Sequence, residues 1–341
     1  MAEDDGLRGI LVEQVDRLLA DSGGPAVLRA AEHGEWPEAL WAEAEALGLP
    51  LALAPEAMGG AGLGWDDAVA VWQALGRHGA ALPLAQSMAA AALLAAAGIE
   101  PPPTGFTALA MPGEAVAWGR RADHLAVVDG AGRVSLNAGT AVEWGRVADP
   151  LSREPADRAV SCGTSLRTGT LPGGIEAARN AGALLHAALM AGALEAALDM
   201  AVDYANTRKQ FGRPIGAFQA VQQQLAVCAS EAAAAAVAAL AAGRAADRRG
   251  LEGAGFEIAS AKVVCGEAAG TGAAIAHQVF AAMGFTDDHP LHLFTRRLWA
   301  WRNAGGAERV WARRIGEAAL ARGGAALWPD LTARNEGRGN A

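Results

Sequence analysis

The chain has 341 residues, 52% of them hydrophobic, and its 28 Lys and Arg against 37 Asp and Glu give it a net charge of −9. This length allows two or three domains, or one large domain with a substantial core. Neither sign of charge is concentrated in one segment, whereas nucleic-acid binding relies on clustered cations that neutralise phosphates. The composition therefore argues against a nucleic-acid partner.

The sequence also argues against export and membrane insertion. The first ten residues, MAEDDGLRGI, are acidic where a secretory signal carries cations before an apolar run. The alanine-rich run Ala232–Gly243 is shorter than the roughly 20 residues of a membrane crossing, and it is flanked by Glu231 and Arg244. We therefore expect this run to be a helix in a protein interior, and the protein to be cytoplasmic with no membrane partner.

The sequence predicts neither a disulfide framework nor a metal site. The three cysteines stand far apart, without the paired spacing of zinc sites. His289 and His292 are three residues apart, but no third ligand accompanies them at a suitable spacing.

Residues 1–100 are predicted to form a helical N-terminal domain. Apolar residues recur on one helical face in the first twenty residues, and a second helical run ends at Gly48. A glycine-rich stretch then predicts a flexible loop before a helix that begins near Trp65 or Asp66.

The pattern changes at about residue 101. Up to residue 172, short extended runs such as HLAVVD and RVSLN are separated by glycine turns, which predicts a small β domain. From 173 to 330, long helical patterns joined by short loops predict a four-helix bundle, followed by a tail at 331–341. The expected fold class is mainly α, with an N-terminal helical domain, a reduced middle β domain and a C-terminal four-helix bundle. The helical patterns of the bundle cover 175–210, 217–249, 252–283 and 305–322, with a shorter one near 291–301.

Three motifs follow one another along the chain. PEAMGGAGLGWDDAVAVWQALGRHG starts at Pro55, YANTRKQFGRPIGAFQAVQQQLA at Tyr204, and HQVFAAMGFTDDHPLHLFTRR at His277. With the order of helices, strands and bundle, these motifs resemble the acyl-CoA dehydrogenase family, flavoproteins that desaturate acyl-CoA thioesters. The resemblance extends along nearly the whole chain, and it implies an FAD cofactor, an acyl-CoA substrate and an oligomer.

The resemblance assigns Arg208 and Phe211 to cofactor binding, because the family's Arg-x-x-Phe-Gly turn reaches the flavin bound mainly by a neighbouring subunit. A guanidinium suits the FAD pyrophosphate, since it is a charged donor with a fixed fork, and a phenyl ring offers the dinucleotide an apolar face. The alternative is that Arg208 is a cation favoured by a helix dipole and Phe211 a core residue. Past the turn, one helical face is expected to be core: Phe218, Val221, Leu225 and Cys228.

Gln278 is the second cofactor-binding position that the resemblance implies. The family follows this glutamine with a Gly-Gly pair, which lets the backbone come close to the cofactor of the partner subunit. Ala281 and Ala282 stand in place of that pair, and their β-carbons are expected to hinder the close approach. The alternative is a helix-terminal glutamine followed by ordinary helix formers.

The family's reaction needs a carboxylate that removes the α-proton while the β-hydrogen leaves as hydride to the flavin. A positioned base contributes on the order of 10² to 10⁴ in rate. The resemblance places this base either in a Glu-Gly-Thr loop, aligned with Ala304, or early in the first bundle helix, near Gly182. Neither position holds a carboxylate. The nearest acids, and the remaining candidates, are Glu176, Asp287, Asp288 and Glu308. The alternative is that Glu308 starts the last helix, where the dipole favours an acid, and that Asp288 is structural.

The β segment is shorter than the family's usual middle domain, and nothing in it matches the threonine and the aromatic residue that flank the flavin ring. These departures resemble the short subunits of heterotetrameric acyl-CoA dehydrogenases of bacterial steroid degradation. Such subunits have lost the base but still contribute the arginine turn to a longer partner. GFTDDHPLHLFTRRL, from Gly284, is similar to the same branch. The implied partner is a longer homologue or further copies of this chain, and the implied context is lipid or steroid catabolism.

Three hypotheses follow. The first is an FAD-dependent acyl-CoA dehydrogenase that desaturates its substrate as a subunit of an oligomer. The second is a non-catalytic subunit that completes the FAD site of a longer acyl-CoA dehydrogenase. The third is a helical assembly protein that binds no cofactor.

Overall fold

The computed structural model describes residues 2–147 and 150–334, with side chains from residue 8 onward. Its N-terminal part is helical, with short 3₁₀ turns between the later helices. Gly48, with φ of 70°, follows the third helix and ends it as the sequence predicts. The five helices are α1 (Ala2–Ser22), α2 (Pro25–Glu32), α3 (Glu38–Ala46), α4 (Trp65–Arg77) and α5 (Leu84–Ala96).

Helix α4 begins at Trp65, one of the two predicted positions, but its N-terminus is capped from far away in the chain. The Asp247 carboxylate accepts hydrogen bonds from the backbone N–H groups of Trp65 (2.6 Å) and Asp66 (2.9 Å). A carboxylate at this end of a helix satisfies unpaired donors and opposes the positive end of the dipole. This contact fixes the entry of α4 against the C-terminal helices.

The middle of the chain forms two small sheets. One has the strand order β1-β3-β4-β7, in which β1 and β3 are parallel and the other pairs antiparallel; the other has the order β2-β6-β5 and is antiparallel. HLAVVD and RVSLN become the central strands of the first sheet, as predicted. The strands are β1 (Thr107–Ala110), β2 (Val116–Ala117), β3 (His124–Val128), β4 (Arg133–Ala138), β5 (Val142–Arg146), β6 (Ala156–Cys162) and β7 (Arg167–Thr170).

The C-terminal part is a bundle built around one long helix, α6, which packs against α4, α7, α8 and α9. A short hairpin, β8 (Lys209–Gln210) with β9 (Arg213–Pro214), joins α6 to α7. The predicted mainly α fold class is confirmed. The domain limits stay a prediction, and residues 335–341 of the predicted tail lie outside the described residues. The helices are α6 (Gly174–Thr207), α7 (Gln219–Gly253), α8 (Gly255–Phe280), α9 (Leu291–Asn303), α10 (Glu308–Arg322) and α11 (Gly324–Ala333).

Helix α7 carries the alanine-rich run, and here the expectation of an interior helix is only half right. One face is buried, with Ala235 and Ala239 fully inaccessible, whereas the other face leaves Val227 and Val237 exposed. Both α6 and α7 are long and apolar enough to cross a membrane by length and composition. The relevant window of α6 is 83% buried, as in a core helix, but that of α7 is only 28% buried. The expected core face after the turn is likewise half-buried, except for the fully buried Cys228.

Helices α4 and α6 touch through their backbones. A β-carbon added at Gly192 would overlap the carbonyl oxygen of Gln73, and one added at Gly76 would overlap that of Leu189. Two glycines, one on each helix, therefore set the spacing between the N-terminal helices and the bundle.

We expect Gly192→Ala to destabilise the protein by about 1–3 kcal/mol or more, because the added methyl group overpacks this contact. Gly316→Ala is the matched control, since Gly316 lies on an exposed turn of α10 with nothing within 4 Å of its added β-carbon. That variant should gain up to about 1 kcal/mol from helix propensity. Urea unfolding of both variants tests the contact, and equal effects would contradict it.

Candidate functional site

The end of α6 and the hairpin after it form an exposed corner that holds Arg208 and Phe211. The Arg208 N–H donates to the Tyr204 carbonyl (2.8 Å), and the Ile215 N–H donates to the Arg208 carbonyl (2.8 Å). The side chain of Arg208 is exposed, and no carboxylate among residues 8–147 and 150–334 forms an ion pair with it. The corner thus presents a guanidinium outward from a backbone held by hydrogen bonds.

Phe211 is 92% exposed and has a positive φ of 50°. Its ring meets Phe218 edge to face at 6.1 Å, and the Arg213 guanidinium lies 4.2 Å from the centre of the Phe218 ring on the same hairpin. Phe211 is therefore not a core residue of this chain, whereas the alternative for Arg208 stays open. An exposed aromatic ring in a conformation that non-glycine residues rarely adopt points to a binding surface.

The second predicted position lies at the same end of the bundle. Tyr204, one turn before Arg208, stacks on Phe280 at the end of α8 with ring centres 4.2 Å apart. Gln278 and Ala281, on either side of Phe280, are both exposed. The structure thus brings the arginine turn and the late glutamine motif to neighbouring helix ends.

The alanine pair keeps a backbone shape that suits glycine. Ala281 has φ of 51° and ψ of −134°, a region that costs an L-residue about 1–3 kcal/mol. Ala282 is also exposed and is not among the residues with positive φ. The backbone bend is therefore present at Ala281 although the residue that would relieve it is absent.

A cavity of about 470 Å³, the inner cavity, lies between the β strands and the bundle. Both positions that the sequence comparison assigns to the base border it, namely Gly182 on α6 and Ala304 after α9. Its apolar lining includes Leu109, Met111, Leu185 and Trp301. The loop with Ala304 and the start of α6 thus meet around one space, although neither supplies a carboxylate.

Among the described residues, two carboxylates line the inner cavity, those of Glu114 and Glu154, and the sequence analysis missed both. Burial raises the pKa of both. Glu154 lies 3.5 Å from the fully buried Arg297 guanidinium, whereas Glu114 accepts no hydrogen bond and forms no ion pair with any described residue. The only mark of Glu114 in the sequence is that it follows a Pro-Gly pair at the end of an apolar run, which is a weak signal.

Two further titratable groups lie at or near this cavity. Nδ1 of His186 is 2.7 Å from the Gly182 carbonyl oxygen, and burial together with the nearby Lys262 lowers the pKa of His186 to about 3. Burial lowers the pKa of Lys262 to about 8. Its ammonium donates to the carbonyls of Trp301 (2.9 Å) and Arg302 (2.8 Å), the last turn of α9. Lys262 therefore anchors the loop that carries Ala304.

None of the four candidate bases from the sequence analysis lines the inner cavity. Glu308 is the first residue of α10 and forms a two-pronged ion pair with Arg302, which lowers its pKa to about 2. Asp288 is exposed and does not line the inner cavity. The position of Glu308 at a helix N-terminus, paired with a cation, agrees with the structural alternative.

A second, larger cavity of about 1260 Å³ opens on the other side of the segment 150–156, which lines both cavities. This wall segment is held by a buried ionic cluster, in which Arg297 is 3.0 Å from Glu32 and 3.5 Å from Glu154. Among the described residues, no three His, Cys, Asp or Glu side chains are placed to hold a metal ion. His292 instead faces Asp287 at 3.4 Å.

Comparison with known proteins decides the family. The acyl-CoA dehydrogenase N-terminal domain matches residues 9–100, and the acyl-CoA dehydrogenase C-terminal domain matches residues 175–320. Acyl-CoA dehydrogenase IpdE2 of Mycobacterium tuberculosis is 34% identical over 299 residues, which is 85% of this chain and 90% of that protein. The chain belongs to the acyl-CoA dehydrogenase family.

Solved structures of acyl-CoA dehydrogenases share its fold. A chain of the ChsE4-ChsE5 complex from Mycobacterium tuberculosis has a TM-score of 0.80 and 24% identity. The match covers 91% of this chain and 96% of that chain. A chain of the Tcur3481-Tcur3483 steroid ACAD G363A variant has a TM-score of 0.82 and 24% identity. The match covers 94% of this chain and 99% of that chain. The predicted resemblance to this family is confirmed.

We expect Ala281→Gly to stabilise this acyl-CoA dehydrogenase chain by about 1 kcal/mol. Glycine relieves the strain of the positive φ, which is about 1–3 kcal/mol. It also adds entropy to the unfolded chain, which costs about 0.4–1 kcal/mol. Ala282→Gly should destabilise the protein, because glycine adds entropy to the unfolded chain and Ala282 has no positive φ to relieve. Thermal and urea unfolding of the pair provide the measurement, and a loss of stability in Ala281→Gly would contradict the strain.

Glu308→Gln is expected to cost about 1 kcal/mol at pH 7, because Glu308 is a partly exposed ion-pair partner at a helix N-terminus. The folded pKa, about 2, lies below the ordinary 4.5, so this stability is complete above about pH 5. It is lost as the pH falls towards 2. Urea unfolding at pH 7, 4 and 2.5 should show the two proteins converging, and a constant difference would refute the assignment.

Proposed function

We propose that this chain is a subunit of an FAD-dependent acyl-CoA dehydrogenase, which desaturates an acyl-CoA thioester between its α and β carbons. The observation that carries the proposal is the exposed corner of Arg208 and Phe211. Within residues 8–147 and 150–334, Arg208 forms no ion pair, and Phe211 makes its one aromatic contact with Phe218. When bound, FAD supplies the acceptor for the β-hydrogen. We place the protein in the cytoplasm, in lipid or steroid catabolism.

The residues of the corner fit a dinucleotide. The Arg208 guanidinium offers paired N–H donors in a plane, which match phosphate oxygens, and it is held on an ordered hairpin rather than on a loose loop. Phe211 offers a ring face, and the exposed Gln278 at the end of α8 offers an amide. Together these groups supply charge, stacking and hydrogen bonding on one surface.

The position of the corner indicates that it serves another chain. Gly182 and Thr207 lie on the same helix, and 25 residues at a rise of 1.5 Å place them roughly 38 Å apart. A dinucleotide bound at the inner cavity of this chain cannot also reach its own corner. The arginine turn is therefore available to a cofactor held by a neighbouring subunit.

Exposed apolar surface supports an oligomer. Val237 on α7 is 66% exposed, Phe285 after α8 is 72% exposed, and Trp328 on α11 is 73% exposed. Large apolar residues exposed on several helices of one bundle are typical of surfaces that another chain covers. The ChsE4-ChsE5 and Tcur3481-Tcur3483 neighbours are complexes of two different chains, which favours a longer homologue as the partner here.

A second candidate function is a non-catalytic subunit that only completes the FAD site of that longer partner. It is favoured by the absence of a carboxylate at both Gly182 and Ala304. The third hypothesis, an assembly protein without cofactor, would leave the corner with no ligand.

The test is to co-express the chain with a longer acyl-CoA dehydrogenase homologue from the same organism. Flavin absorbance per complex, flavin affinity and dehydrogenation of acyl-CoA are then measured. We expect Arg208→Ala to weaken the affinity of the complex for flavin at least about tenfold, since a charge-assisted hydrogen bond to phosphate is worth about 1.5–3 kcal/mol. Arg208→Lys should retain only part of the flavin affinity, because lysine keeps the charge but lacks the paired N–H donors of the guanidinium.

Lys209→Ala is the matched control, since Lys209 is an exposed cation on the same hairpin. It should leave flavin content unchanged. Equal flavin in Arg208→Ala and the unaltered complex would refute the role of the corner. A complex that binds flavin through Arg208 but desaturates its substrate only in the partner's own site would favour the non-catalytic subunit.

A further inference from the structure

The inner cavity has a carboxylate, that of Glu114, close to the loop after α9, which supplies none. A β-carbon built on Gly305, the residue after Ala304, would lie 3.9 Å from Oε1 of Glu114. Glu114 belongs to the turn after β1, so it approaches the loop from the opposite wall of the cavity. A carboxylate from the turn after β1 thus lies within van der Waals distance of a side chain built on the loop that carries Ala304.

Glu114 differs from the other nearby acids because its carboxylate is not paired with a cation of the described residues. Glu154 faces Arg297, and Glu308 is paired with Arg302. Glu114 is half-buried, lines the inner cavity and has no hydrogen-bond or ion-pair partner within the described parts of the chain. A half-buried carboxylate that lines a cavity and has no partner in the fold is a candidate functional group.

His186 is the competing base in the same cavity, but its pKa near 3 makes it a weak proton acceptor at neutral pH. Burial moves the pKa of Glu114 the other way, towards the working pH, where a general base is most effective. Lys262 and Arg179 are close enough to limit that rise. Of the two groups, Glu114 has the better-matched basicity.

The rest of the cavity suits an acyl chain. Leu109 and Met111 line it from β1 and the turn after it, Leu185 lines it from α6, and Trp301 lines it from α9. A volume of about 470 Å³ is within the usual range for small-molecule sites. A thioester with its acyl carbons on these residues would lie beside the Glu114 carboxylate.

We infer that Glu114 is the catalytic base of this chain, the group that accepts the α-proton of an acyl-CoA thioester bound in the inner cavity. The α C–H bond breaks, an O–H bond forms on Glu114, and the electron pair passes into the thioester carbonyl as an enolate. The step is a proton transfer and is balanced without an oxidant. It rests on the proposed function, in which the flavin then accepts the β-hydrogen as hydride.

The test uses the full chain by itself in D₂O, with butyryl-CoA, octanoyl-CoA and a steroid side-chain CoA thioester as probes. Mass spectrometry follows the entry of deuterium at the α carbon, which requires no flavin turnover. We expect exchange above the buffer rate with at least one probe, and a fall of about 100-fold or more in Glu114→Gln. Glu114→Asp, which keeps a carboxylate, should retain part of the exchange.

Glu100→Gln is the matched control, because Glu100 is an exposed glutamate outside the cavity. It should leave exchange unchanged. If Glu114 only balanced the charge of Lys262, Glu114→Gln would lower the melting temperature but leave exchange intact, and that result would overturn the inference. Absence of exchange with all three probes would overturn it too.

A second measurement does not depend on turnover. Carbodiimide coupling of an amine to exposed carboxyls, read by peptide mass spectrometry, should label Glu114, and a bound thioester should protect it but not Glu100. Unchanged labelling of Glu114 with each thioester would refute the assignment. Failure here, with normal flavin loading through Arg208, would leave the proposed cofactor role standing, so the two proposals fail separately.

Discussion

The direct backbone contact between α4 and α6 is the constraint on which the remaining arrangement depends. Gly76 and Gly192 let the two helices approach until carbonyl oxygens fill the space where β-carbons would be. This contact fixes α6, whose first turns border the inner cavity and whose last turn carries the arginine hairpin. One continuous helix thus holds the inner cavity and the arginine hairpin at its opposite ends.

Local patterns in the sequence were sufficient for much of this fold. Glycine at residue 48, the extended runs of β3 and β4, and the long helical periods each determine structure through nearby residues. The alanine-rich helix was the exception. Alanine is a good helix former on buried and exposed faces alike. The alanine run therefore has no amphipathic pattern to show that only one side of α7 contacts the core.

The parts of the site that could not be predicted depend on contacts between distant residues. Asp247 caps α4 from 181 residues away, and no periodicity reports such a pairing. Glu114 was missed for the same reason: the resemblance directs attention to the loop after α9 and to α6, whereas the carboxylate arrives from β1 across the cavity. Arg208 and Phe211, in contrast, are local to one motif, so the sequence alone could single them out.

The outward-facing arginine hairpin would make flavin binding depend on the concentrations of the subunits. In the proposed assembly, each cofactor is held by groups from two polypeptides, so its apparent affinity follows mass action between them. Dilution, or unequal synthesis of the two chains, would then release flavin without any change in either fold. Holoenzyme would form only where both chains accumulate together.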